Sequence, residues 1–555
     1  MKRKLFCELS PFTYRLSMEK EILKRHVQDL LHKTQFAVER TEASFPVLVY
    51  RHNSLIRRRL GNVNMQLQEN KATNLALAVK HIDGLSLHPN AFPMNLPLPP
   101  AKIFCIGIGG IGVSGLAQLL VHQGYSVAGS DRGLNDHGKE HLYDGLRAQG
   151  IRLYPQDGSG PKAEQPDALV ISTAVEDTNA DLQVLPNCPV IHRATALAQA
   201  LDRIGVPQIA VAGSCGKTSV TGWIAAALKA LGKKIVMVDG GYSLNAERTG
   251  FPGNFFADDK PEYIVVEVDE SDRSLSAFHP QFGVLLNVGN DHYGQDELKV
   301  VFRNFLGQCS CGAVVLDELK DIANLCPGTV TCFSGKAFND SDCIAPSNFE
   351  TTLDGIVFDT KEFGHIVTSQ DGFHSAINAC AVLAVLKQLN LGLPAEQIAA
   401  AIASFKGIRQ RFEIMGKNSD GITVINDFAH NPEKIAAAIS AAHDRFGSPL
   451  TATFQPHGFT PLRFMRDELV KTLAKCLAQD DLLIMLPVFY AGGTAKFTPT
   501  SDEVAAELCD HGLNVIAADR SKATKIIASR KSSCILIMGA RDASLRTWAA
   551  ELAAK

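Results

Sequence analysis

Three times along this chain a short apolar run stops at a glycine-rich or acidic turn and gives way to a helix-length segment. Ile103–Ile106 reads as a strand, Ser114–Gln123 as a helix and Ser126–Gly129 as a strand. The order returns at Gln208–Ala212, Ser219–Leu231, Lys234–Val238 and Tyr263–Val268, and again from Ile422–Ile425 through Pro432–Phe446 to Leu482–Leu486 and Cys534–Met538. Continuously apolar strands joined by helix-length crossovers are the grammar of parallel sheets covered on both faces. The prediction is an α/β chain of doubly wound parallel sheets. Its 555 residues leave room for three or four domains.

Composition narrows the setting. No window holds the 18 consecutive apolar residues of a membrane span, and Lys2-Arg3-Lys4 is followed by Glu8 rather than by the apolar core of a secretory signal. The cytosol is the expected compartment. Thirteen cysteines, scattered without CxxC pairs, are expected to be reduced and mostly buried thiols rather than a disulfide framework or a zinc site. The net charge of −3 hides an asymmetry: residues 1–100 carry 15 Lys+Arg against 8 Asp+Glu, and the rest carries 40 against 50. The run Arg57-Arg58-Arg59 is read as a solvated face, and no nucleic-acid motif or aromatic interleaving accompanies it. Five prolines in residues 89–100 forbid a helix there and mark an extended linker.

Three segments carry chemistry. Gly107-Ile-Gly109-Gly110-Ile-Gly112 follows a strand and opens a helix, and Asp131 ends the next strand. Glycines let a backbone approach a diphosphate, a helix N-terminus offers free N–H groups, and the acid suits a sugar hydroxyl or base edge. NAD(H) and a UDP-sugar fit this pattern equally. Gly213-Ser214-Cys215-Gly216-Lys217-Thr218 also joins strand to helix, as a loop around the β- and γ-phosphates of ATP does, with Lys217 as point charge and Thr218 as a hydroxyl ligand for Mg²⁺. Glu267-Val-Asp269-Glu270-Ser-Asp272 places four carboxylates in six positions, a costly repulsion without a cation. Asp291-His292 ends another apolar strand, Phe282–Leu286, and a carboxylate, an imidazole and the Thr218 hydroxyl make a plausible Mg²⁺ shell.

Together with DALVISTAV (167–175), CPVIHRATALA (188–198), GFHSAINACA (372–381), FKGIRQRFE (405–413), INDFAHNP (425–432), FQPH (454–457) and MGARD (538–542), these segments resemble the Mur ligase family across residues 101–555, in family order. The resemblance implies a three-domain architecture: a Rossmann-like UDP-sugar-binding domain (101–205), a central P-loop ATPase domain (206–405) and a C-terminal Rossmann-like ligase domain (406–555). It is strongest to the alanine-adding ligases. The implied reaction is ATP-dependent joining of L-alanine, or another amino acid, to UDP-N-acetylmuramate through an acyl phosphate, with ATP and Mg²⁺ required and no nucleic-acid partner. Gly107, Gly109, Gly110, Gly112, Ser130, Asp131, Ser172 and Thr173 would bind the UDP-sugar. Gly213, Ser214, Cys215, Gly216, Lys217, Thr218, Ser219 and Asn378, with Asp427 and His430 from the last domain, would bind ATP. Thr218, Glu267 and His292 would hold the metal, and Lys217, Glu267, His292 and Arg411 would serve catalysis.

The sequence departs from the alanine-adding pattern at Ser214-Cys215 (usually Thr-His), Ser375 (usually Asn), Asn431 (usually His) and Gly458 (usually Arg). A murein-peptide recycling ligase, or a non-catalytic nucleotide-binding cell-wall scaffold, is therefore an alternative. Residues 1–88 resemble the N-terminal part of the VanW family over 6–30 and 45–84 and otherwise read as a helical, partly basic accessory segment.

Overall fold

A computed structural model describes residues 95–136, 138–270, 274–289, 295–336, 343–490 and 497–555, together with the backbone of 37–40 and 46–49. Contacts group the chain into two units, residues 1–96 with 189–191 and the remainder. In the first, Ala37–Arg40 pairs antiparallel with Pro46–Val49, which departs from the helical expectation. The rest of the VanW-like segment lies outside the described residues.

The second unit holds the parallel sheets. Arg152–Tyr154, Ser126–Ser130, Lys102–Ile106 and Ala168–Ile171 are parallel neighbours in that order. An eight-stranded sheet follows in the spatial order Phe255–Ala257, Ile235–Val238, Tyr263–Glu267, Gln208–Ala212, Phe282–Leu285, Gly312–Leu316, Thr329–Phe333 and Cys343–Ile344. Only its first strand runs antiparallel. The last sheet has the order Glu413–Lys417, Thr423–Asp427, Cys534–Gly539, Leu450–Gln455, Leu482–Met485 and Val515–Ala517, antiparallel at the first pair alone. Alternation decides how it is covered. Ile425, Leu536 and Met538 enter one apolar cluster, and their neighbours Val424, Ile535 and Ile537 enter another on the opposite face.

Strand positions expected from apolar runs agree with these to within a residue or two. The helix after the first glycine turn spans Ile111–His122 and the one after the phosphate loop spans Lys217–Ala230. Both start earlier than apolar periodicity suggests, because the glycine turn itself forms the helix entrance. An antiparallel three-stranded sheet, Ser347–Thr352, Gly355–Thr360 and Gly364–Thr368, had no forecast. Its strands are half polar, so no continuous apolar run announces them.

The cysteine expectation needs correction. Ten of the described cysteines are free thiols, but Cys332 and Cys343 form a disulfide with Cα atoms 4.8 Å apart. They face each other where Thr329–Phe333 pairs with Cys343–Ile344, a proximity that eleven residues of sequence separation do not reveal.

Candidate active site

The phosphate loop is built from constraints rather than from free residues. Gly213 adopts φ +136°, and a Cβ there would lie 3.1 Å from the Asn287 backbone nitrogen. Gly216 adopts φ +85° at the entrance of the Lys217–Ala230 helix, with the Asn378 side-chain oxygen 3.0 Å from where its Cβ would stand. Only glycine meets both demands. Asn287 laces the loop: its Oδ1 accepts the Cys215 N–H at 2.8 Å and its Nδ2 donates to the Cys215 carbonyl at 2.9 Å. The Ser214 hydroxyl accepts the Gly289 N–H at 2.8 Å. Thus Ser214 and Cys215, which depart from the family pattern, still hold the loop's shape.

Lys217 Nζ donates to the Gly213 carbonyl at 2.6 Å and to both Glu270 oxygens at 3.2 and 3.0 Å. Burial alone would lower the ammonium's pKa, but Glu270, Glu267 and Asp269 outweigh it and raise it. The acidic strand end therefore carries its own cation, which the carboxylate count alone did not show. Glu267 lies beside it, its Oε2 accepting the Gly240 N–H at 3.0 Å. A Cβ on Gly240 would collide with the Glu267 carboxylate, and one on Gly241 with the Thr218 methyl. The two glycines let Glu267 and Thr218 pack against the same stretch of backbone. His292 and Asp291 lie outside the described residues.

A cavity of about 820 Å³ runs from this loop to the last domain. Cys215, Gly216, Thr218, Ser219 and Asn378 line one side, and Arg411, Asp427 and Lys434 the other. Arg411 sits between Gln410 at φ +59° and Phe412 at φ +46°. Two left-handed non-glycine positions flanking one residue are strained, and such strain persists only where tertiary contacts impose it. Here the Phe412 N–H is held by Asp427 at 2.6 Å, the Gln410 carbonyl accepts the Phe428 N–H at 2.7 Å, and the Arg411 guanidinium lies 4.9 Å from the Phe428 ring. Burial pushes the Asp427 carboxyl up against the pull of Arg411 and the N–H groups of Phe412 and Ala429.

His430 is not among the cavity-lining residues. Its Nδ1 lies 2.8 Å from the Phe428 carbonyl, and its ring stands edge-on to His457 at 5.0 Å. A carbonyl only accepts, so Nδ1 carries the proton and Nε2 presents a lone pair. Burial, followed by the nearby Lys434 charge, lowers this imidazole to about 3. The folded state thus stays neutral while an unfolded histidine protonates below about pH 6.5, so stability is lost as pH falls through that point toward about 3. Chemical unfolding at pH 7 and pH 5 is expected to show an acid penalty of which His430→Gln removes about 2 kcal/mol, the neighbouring His457, lowered to about 4, keeping its own share.

The first glycine turn is closed from behind. Gly107 and Ile108 donate to the Ser130 carbonyl at 2.8 and 2.9 Å, and the buried Ser130 hydroxyl bonds Asp181. Asp131 accepts from the Gly109 and Gly133 N–H groups at 2.8 Å each and from the Tyr143 hydroxyl at 3.0 Å. Both side chains thus shape the turn at which a UDP-sugar contact is expected. Ser172 and Thr173 follow the strand Ala168–Ile171, half-buried and exposed. Arg193, from the CPVIHRATALA segment, lies across the turn, its Nη1 2.8 Å from where a Gly112 Cβ would be.

The contacts of Asn287, Glu270 and Arg193 were beyond sequence reasoning, because each reaches a partner remote in the chain. The chain is similar to known proteins. Residues 102–204 match the Mur ligase family catalytic domain, 211–386 the Mur ligase middle domain and 410–541 the Mur ligase glutamate ligase domain. The chain is 30% identical over 461 residues to the UDP-N-acetylmuramate–L-alanine ligase of Geotalea daltonii, covering 79% of this chain and 95% of that protein. It is 34% identical over 408 residues to the Methylobacillus flagellatus protein of the same name, covering 70% and 82%. The fold is that of the Thermotoga maritima UDP-N-acetylmuramate-alanine ligase, with TM-score 0.66 and 24% identity over 81% of this chain and 98% of that one. A Psychrobacter arcticus murein peptide ligase superposes with TM-score 0.58 at 20% identity, over 81% and 98%. The chain belongs to the Mur ligase family.

Proposed function

We propose that this protein is an ATP-dependent carboxylate–amine ligase that joins L-alanine, or another amino acid, to UDP-N-acetylmuramate. The observation that carries this reading is a glycine loop whose Cys215, Gly216, Thr218 and Ser219 line one wall of a cavity whose other wall belongs to the last domain. Residues 101–205, 206–405 and 406–555 then act as acceptor, ATP and closing domains.

The chemistry follows from charge. A substrate carboxylate attacks the γ-phosphate of ATP, giving an acyl phosphate and ADP, and the amine displaces phosphate through a tetrahedral intermediate. Two anions must meet, so fixed cations and dipoles belong at their junction. Lys217, anchored by Glu270 and Gly213, supplies the point charge, and the N–H groups at the entrance of the Lys217–Ala230 helix would cradle the phosphates. A divalent ion would be held by Glu267 and Thr218, which pack against Gly240 and Gly241, with His292 as the further ligand by motif. Mg²⁺ there would neutralise phosphate charge. Asn378, against Gly216 in the cavity wall, would contact the base of the nucleotide, and Arg411 at the strained segment would bring the last domain's cation to the cavity. Closure around this cavity excludes water, which would hydrolyse the acyl phosphate. At the acceptor side the Gly107–Gly112 turn and Arg193 suit a diphosphate.

ADP release from ATP and Mg²⁺ with UDP-N-acetylmuramate is expected to depend on both acceptor and amine. Protein that bound UDP-N-acetylmuramate yet released no ADP with any amine would be a scaffold instead. A murein-peptide substrate is the second reading, favoured by the amine side of the last domain. There Asn431 caps the Pro432–Phe446 helix through the Lys434 N–H at 2.9 Å, and Gly458 adopts φ +156°, which an arginine would strain. Screening single amino acids against small murein peptides separates the two. For residues 1–88 we infer a VanW-like appendage outside the reaction, so their removal is expected to leave ADP release unchanged. The cytosol, where ATP is made available, is the inferred setting; no helix among the described residues is long and apolar enough to cross a membrane.

A further inference from the structure

One buried carboxylate is left unused by this reading. Asp239 follows the strand Ile235–Val238, and Glu267 ends its parallel neighbour Tyr263–Glu267. Val238 and Val266 are register partners, so Asp239 and Glu267 leave the sheet side by side. Asp239 is 2% exposed, and neither of its carboxyl oxygens has a hydrogen-bond partner. Its Oδ2 lies 3.1 Å from where a Cβ on Gly222 would stand, a spot also bordered by Ile408 and Phe405. The helix that begins at Lys217 therefore forms a largely apolar wall behind it. On the same helix, Thr221 is fully buried with its hydroxyl unpartnered.

Asp239 and Glu267 thus meet as two carboxyl groups in front of this wall. When both are ionised they are acceptors only, so neither satisfies the other. Such a pair is stable when a cation lies between its oxygens, and oxygen donors select a hard divalent ion. Gly240 and Gly241 follow Asp239 directly, and their lack of side chains lets Glu267 and Thr218 approach the backbone next to it.

We infer that Asp239 is a further metal-ligating residue, joining Glu267 and Thr218 so that the cation site of this chain carries two carboxylates. The inference rests on the proposed metal site at Glu267 and extends it. Two anionic ligands hold a divalent ion without help from nucleotide phosphates, so the site is loaded before ATP arrives.

Mn²⁺ titration of the full chain without nucleotide, followed by electron paramagnetic resonance, tests this. Wild-type protein is expected to bind one Mn²⁺ that Mg²⁺ displaces. The near-isosteric Asp239→Asn variant is expected to bind it about 10–100-fold more weakly, as is Glu267→Gln. Mn²⁺ is also expected to raise the thermal midpoint of wild type and not that of Asp239→Asn, whose metal-free midpoint reports that it folds. If Glu267→Gln loses Mn²⁺ while Asp239→Asn binds like wild type, the role of Asp239 is overturned and that of Glu267 stands. If Glu267→Gln also binds like wild type, the metal site itself is misplaced. Wild type that binds Mn²⁺ only when ADP is present overturns the two-carboxylate site while leaving Glu267 as a ligand.

Discussion

Lys217→Ala is expected to lower ADP release by at least about 10²–10³-fold, the usual cost of removing one electrostatic stabiliser of a transition state. The structure adds a second consequence. Lys217 and Glu270 are an ion pair whose side chains are 13% and 5% exposed. Burial already pushes the Glu270 carboxyl up despite its lysine. Removing the ammonium strands that carboxylate, and breaking a buried pair from one side costs about 3–5 kcal/mol. The single variant thus mixes lost catalysis with lost stability. Lys217→Met combined with Glu270→Gln separates them: denaturant midpoints are expected to recover while ADP release stays lost. Recovery of both would remove Lys217 from the phosphate site.

The second large effect is expected at a contact between the middle and last domains. Arg445, near the end of the Pro432–Phe446 helix, donates through Nη1 to both Asp371 oxygens at 2.7 and 2.6 Å and through Nη2 to the Leu353 carbonyl at 2.6 Å. Asp371 stands just before the Phe373–Leu389 helix that carries Asn378, and both charged residues line the large cavity. The side chains are 10% and 4% exposed. Burial raises the Asp371 carboxyl and Arg445 opposes that rise. Arg445→Ala leaves an unpaired buried carboxylate, with a stability cost of about 3–5 kcal/mol. It also frees the last domain from the wall near Asn378, so KM for ATP is expected to rise about 10-fold or more, the scale of one lost buried contact. Replacing both partners with apolar residues is expected to restore stability but not KM, because the geometry of closure depends on the fork of the guanidinium.

The strands and their turns were legible in the sequence for a specific reason. A strand covered on both faces must be apolar throughout, and a backbone that approaches a phosphate must be glycine, so Gln208–Ala212 and Gly213–Gly216 announce themselves. Lys217, Thr218 and Glu267 were legible because a loop or strand end fixes them locally. The antiparallel sheet of residues 347–368 was not, since its half-polar strands lack that signature. The Cys332–Cys343 pair was hidden too, because only sheet register brings those thiols together.

Function divides along the same line. Ser130 and Asp131 sit where a sugar contact is expected; in the structure the Ser130 hydroxyl donates to Asp181, and Asp131 accepts from the Gly109 N–H and the Tyr143 hydroxyl. A hydrogen bond is decided by what lies within 3 Å, which residue order does not state. By itself the sequence determined the α/β class, the phosphate loop and the family, because these depend on short-range patterns of apolarity, glycine and charge. Only the tertiary structure decided which carboxylates are neutralised. It gives Glu270 to Lys217 and Asp371 to Arg445, and sets Asp239 beside Glu267 without a donor. Those assignments follow from burial, which makes an unpaired charge costly and is set by strands and helices far apart in the chain.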